Sequence, residues 1–121
     1  MSGAFDSLPF DWAAGNFATH EAHMDDEHKG LFASIDHLDK NRTVANFESL
    51  AGLVIQHFKD EEALGLSAAH VQQHHDLLAI ATAKLGDLKS GAASVDQGLV
   101  DFLKSWLKNH IKATDIPSYG H

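Results

Sequence analysis

Four stretches of this chain repeat apolar residues three and four positions apart, and each sets at least one histidine on that same line. The lines are Met24, His28, Leu31, Ile35 and Leu38; Phe47, Leu50, Val54, His57 and Glu61; His70, His74, Leu77, Leu78, Ala81, Leu85 and Leu88; and Leu99, Phe102, Leu103, Trp106 and His110. Residues at these spacings share one face of an α-helix, so whatever lies on the apolar face is carried into the core. A carboxylate such as Glu61, one turn from His57, is costly there unless something pairs with it. One histidine on an apolar face is more often a satisfied core residue than a ligand. Five of them on four helices, plus Glu61, would cost roughly 1–3 kcal/mol each without a common partner. A bound metal supplies that partner.

The spacing predicts helices over about His20–Lys40, Val44–Leu64, from an N-cap at Ser67 to Lys89, and from a Ser94–Gln97 capping box onward. Asn41-Arg42-Thr43 breaks the first from the second, Gly65 stops the second, and "SGAAS" loops between the third and fourth. Helices of this length joined by short connections form an all-α, up-down-up-down antiparallel four-helix bundle. Pro9, Trp12 and the Phe10–Phe17 stretch precede it as an irregular N-terminal arm. With 121 residues and no linker or repeat, residues 1–121 read as a single domain.

Composition narrows the chemistry. The net charge of −8 argues against a nucleic-acid partner, which needs a basic surface. No apolar run approaches membrane-spanning length and no signal-like leader is evident, so the expected location is cytoplasmic, away from membranes. The absence of cysteine excludes disulfides, thiolate metal sites, iron–sulfur clusters and thiol catalysis. Ten histidines without a cysteine point to a metal of intermediate hardness: zinc, copper, iron or nickel.

Four ligands would saturate a structural zinc ion. Five histidines (His28, His57, His70, His74, His110) with carboxylates suit two ions of higher coordination number sharing a bridge. Glu61 is one candidate bridge, and Asp115, five residues after His110 at the helix end, is the other. "HEAH" at His20–His23 is one residue short of the zinc-protease spacing and reads as a solvated face. His37 and His75 flank the stripes and read as surface residues, His121 is terminal, and Glu62 should point away from the centre.

"DDEHKGLF" (25–32), "HFKDEE" (57–62), "HVQQHHDLL" (70–78) and "WLKNHIKATD" (106–115) resemble, in order and spacing, the hemerythrins, and the "FDW" arm extends the likeness over nearly the whole chain. The resemblance implies a bundle holding two iron ions, joined by an oxo or hydroxo group, that bind O2 reversibly. Carried over by motif, His70, His74 and His110 hold one iron, and His28 and His57 hold the other, which keeps a position open. Glu61 and Asp115 bridge the pair, and Phe58, Trp106, Leu107 and Ile111 wall the oxygen pocket. The chain departs from the invertebrate pattern in the corner between helices two and three. It is several residues shorter there, so the family's oligomeric states do not carry over.

Neutral imidazoles outnumber the candidate carboxylates, which favours reversible O2 binding over oxidation of a substrate. The expected protein is therefore an oxygen carrier, store or sensor rather than an enzyme, with a side peroxidase-type activity allowed. The competing readings are an enzyme handling peroxide or nitric oxide at the same centre, a protein sequestering iron or heavy metals, and a structural zinc bundle.

Overall fold

Capping groups decide where each helix begins. The computed structural model describes residues 8–12, 14–15, 17–19, 22–63 and 65–115, without the side chains of Thr114 and Asp115. Four α-helices follow in order: α1 (Ala22–Lys40), α2 (Val44–Glu62), α3 (Ala68–Ser90) and α4 (Gln97–His110). A π-helical segment, Ile111–Asp115, continues α4. There is no strand among the described residues.

Thr43 caps α2, its side chain accepting from the Asn46 amide at 3.1 Å, and Ser67 caps α3 through the His70 amide at 3.2 Å. Asp25 serves α1 by reaching back to accept from both the amide (2.8 Å) and the hydroxyl (2.6 Å) of Thr19. Gly65 turns the corner after α2 with φ +83°, a left-handed conformation that a residue without Cβ adopts freely. These boundaries fall within two residues of the expected ones; the expected start at His20 and the expected end at Leu64 lie outside the described residues.

α4 corrects the sequence reading twice. Its N-cap is Asp96, accepting from the Leu99 amide at 2.9 Å, and not Ser94. A carboxylate at this position satisfies the orphan amide and also meets the positive end of the helix dipole. Gln97, expected to close the capping box, instead accepts from Arg42 at 2.6 Å and donates to Asp101 at 2.7 Å. Phe102, expected to face inward, is exposed, and Val100 and Leu107 are buried instead. Phe102 lies off the axis set by Leu99, Leu103, Leu107 and His110, so rotation about that axis turns it to solvent.

α1 packs on both α2 and α4, and α2 packs on α3. Leu31, Phe32, Ile35, Leu38, Phe47, Leu50, Leu88, Val100 and Leu107 fill the apolar half of the core. The N-terminal arm completes it. Phe17 is fully buried, its ring centroid 5.0 Å from that of Phe32, while Phe10 packs at 4.4 Å against the same ring, tilted by 43°. Lys108, almost entirely buried, donates to the Leu8 carbonyl at 3.0 Å and ties the arm to α4. At the other end, Asp39 accepts from Arg42 (2.6 Å) and from Lys104 of α4 (3.0 Å). The histidines occupy the half opposite Asp39, near the starts of α1 and α3 and the ends of α2 and α4.

Candidate metal centre

The i,i+4 spacing on α2 puts His57 and Glu61 on one inward face, and the same spacing on α3 does so for His70 and His74. α1 contributes His28, and the last residue of α4 is His110. All six side chains are buried, none more than 4 % exposed. The helix packing brings them together in two groups. Ligand atoms of Glu61, His70, His74 and His110 lie within 4.8 Å of one another, and so do those of His28, His57 and Glu61. Glu61 belongs to both. Its Oε1 lies 2.9 Å from His57 Nε2 and 3.4 Å from His74 Nε2, and its Oε2 lies 4.0 Å from His70 Nε2.

The outward nitrogens of three rings are fixed by acceptors on neighbouring positions. His57 Nδ1 meets Glu27 at 2.7 Å, His74 Nδ1 meets Glu62 at 3.0 Å, and His110 Nδ1 meets the Gln73 carbonyl oxygen at 2.9 Å. These oxygens accept, so each Nδ1 carries the proton and each Nε2 turns a lone pair inward. A metal-binding histidine takes this form. Burial, then a hydrogen bond with Asp60, raises Glu27 above the ordinary carboxyl range, while His57 opposes the shift. Asp60 is held below its ordinary value, chiefly by that same hydrogen bond and by one from Gln56.

Aromatic planes back the rings. Phe58 stacks on His74 with centroids 3.8 Å apart and planes 3° from parallel, and Trp106 stacks on His110 at 4.4 Å and 15°. Between them a cavity of about 20 Å³, room for one water-sized or diatomic guest, opens against His57. Phe58, Trp106 and Leu107 line it, with Leu31 and Val54. Ile111 is fully buried in the neighbouring core but is not part of this lining.

The donor set fits a pair of borderline divalent ions. Buried imidazole Nε2 atoms and one carboxylate converge as a group of four and a group of three that share the carboxylate. Asp115 closes the π-helical segment. The i→i+5 hydrogen bonding of such a segment brings backbone positions five apart, such as 110 and 115, round toward each other. The Asp115 side chain lies outside the described residues.

The sequence reading missed Glu27, Glu62 and Gln73. Each sits beside a stripe residue, in "DDEH", "DEE" and "QQHH", and that adjacency was the available signal. Glu62 does lie toward the surface, as anticipated, but grips His74 from behind. His37 and His75 are exposed, as anticipated, and so is His23; His20 and His121 lie outside the described residues. Among the described residues no helix is long and apolar enough to cross a membrane.

A family model for the hemerythrin HHE cation-binding domain matches residues 19–115. Myohemerythrin-1 of Phascolopsis gouldii is 38 % identical over 119 residues, covering 93 % of each chain. A bacteriohemerythrin of Methylococcus capsulatus is 30 % identical, covering 86 % of this chain and 89 % of its own. A crystal structure of wild-type hemerythrin superposes with a TM-score of 0.84 at 28 % identity, covering 91 % of this chain and 95 % of the other. The geometry of the buried histidines and these likenesses agree: the chain belongs to the hemerythrin family.

Proposed function

We propose the residues through which this chain binds O2 reversibly at a non-haem di-iron centre. His70, His74 and His110 hold one iron and His28 and His57 the other, with Glu61 and Asp115 as bridges. The observation that carries this is the shared carboxylate: among the described residues Glu61 is the one side chain common to both buried groups. When bound, the iron pair supplies electrons to O2 and takes them back on release.

The chain's own residues make that exchange reversible. Glu27, Glu62 and Gln73 keep the Nδ1 protons in place, so His57, His74 and His110 present neutral, basic Nε2 donors. Phe58, Trp106, Leu107 and Ile111 keep water and stray protons from the centre, which opposes irreversible oxidation. The cavity's titratable lining residues are His57 and His110, both assigned here as ligands. Among the described residues no further acid or base lines the cavity to deliver a proton, and this supports binding over turnover. The proposal takes residues 1–121 as one domain.

The test is the visible spectrum of the anaerobically reduced protein before oxygen, after oxygen and after its removal, with iron content measured on the same sample. A charge-transfer band that appears and disappears with about two irons per chain supports the proposal. Steady-state turnover of peroxide or nitric oxide at rates above free iron would replace it with the enzymatic reading.

A further inference from the structure

A third group of metal-competent side chains converges outside the buried centre. His23 and Glu27 lie one turn apart on α1, and Asp60 faces them from α2. His23 Nε2 is 3.3 Å from Glu27 Oε2 and 3.7 Å from Asp60 Oδ2, and the three ligand atoms fall within 4.8 Å of one another. The group is not a loose acidic patch, because the second oxygen of each carboxylate is already held. Glu27 Oε1 accepts from the buried His57 ring at 2.7 Å, and Asp60 Oδ1 accepts from Gln56 at 2.9 Å. Those contacts leave Glu27 Oε2 and Asp60 Oδ2 turned toward the imidazole.

We propose that His23, Glu27 and Asp60 form a second, solvent-facing site for a divalent transition-metal ion, separate from the buried centre. One imidazole with two carboxylates suits zinc, manganese or ferrous iron. Water completes the coordination, because His23 is 66 % exposed and a cleft of about 130 Å³ opens beside Glu27 and Gln56. Glu27 connects the two sites, one oxygen serving each, so an ion at the surface sits one carboxylate away from His57.

The experiment titrates zinc into the oxidised, iron-loaded protein, with iron and zinc both quantified at the end. The expected result is one saturable zinc per chain with iron fully retained. His23→Gln, which removes an exposed ligand without touching the core, should weaken that binding by about tenfold or more and leave iron content and visible spectrum unchanged. Asp60→Asn should act in the same direction, and His75→Ala, at another exposed histidine, should not. The proposal is overturned by the absence of saturable zinc, by an isotherm unchanged in His23→Gln, by equal weakening in His75→Ala, or by zinc entering only as iron leaves. Failure of the oxygen-binding reading would appear in the oxygen spectra and leave this isotherm untouched.

Discussion

The two ends of the buried centre are made of the same side chains held in different ways. His74 lies flat against Phe58 and His110 against Trp106, with Glu62 and Gln73 gripping them from behind, and His70 meets both histidine rings edge-on. His28 and His57 meet edge to face at 4.5 Å, and the rings of Trp12, 6.2 Å from His28, and Phe58, 6.0 Å from His57, lie tilted to them. His57 also borders two spaces at once, the outer cleft beside Glu27 and the inner dry cavity. The contrast teaches that a stacked end and an end bordering an outer cleft can be built from the same ligand types. Stacking and access make the difference.

Removing what the ends share should have the largest effect. Glu61→Ala takes a ligand from both groups, so iron content should fall from about two per chain toward zero and the melting temperature should drop. Losing a ligand held at a thousand times its dissociation constant removes about 4 kcal/mol of stability. Full iron retention by metal analysis would break the view of Glu61 as the joint.

Leu107→Ala tests the dry side. Truncating this buried residue should cost about 2–5 kcal/mol in denaturant unfolding and hasten oxidation of the oxygenated protein. An oxidation rate equal to that of the parent would remove Leu107 from the wall.

The sharpest comparison sets Glu27→Gln against Glu62→Gln. Each weakens one outward contact and should lower iron affinity about 10–100-fold. The loss should fall on different ions: chelator competition should release iron from the His57 end first in Glu27→Gln and from the His74 end first in Glu62→Gln. Identical release curves would erase the asymmetry.

The smallest effect lies at the far end of the bundle. Arg42, then Lys104, hold the Asp39 carboxyl below its ordinary value. A lowered folded-state value means stability present above the ordinary aspartate range and lost as pH falls through the lowered value. Asp39→Asn should flatten that acid limb of the pH–stability curve and leave iron content unchanged.

The inward stripes of α1, α2 and α3 were legible because buried positions recur every three or four residues, and His28, His57, Glu61, His70 and His74 obey that rhythm. Phe102 was misplaced because hydrophobicity alone cannot fix the rotation of α4. Ser94 was chosen over Asp96 because both can cap, and spacing does not rank them. The grips on His57 and His110 were hidden for a different reason. Glu27 and Gln73 meet rings 30 and 37 residues away, on other helices, and a pattern within one helix does not carry that information.

The π-helical end of α4 bears on how this fold tolerates changes in length. Each of its hydrogen-bonded turns holds one residue more than an α-helical turn. In genetic terms it is an inserted residue retained between His110 and Asp115. Deleting the exposed Ala113 would let the segment run on as ordinary α-helix, with Asp115 then following His110 by four positions instead of five. Four positions of α-helix and five of π-helix both complete about one turn, so the shortened chain should still keep position 115 on the same side as His110. Length at this one turn can therefore change without carrying the second bridge to another side of the helix.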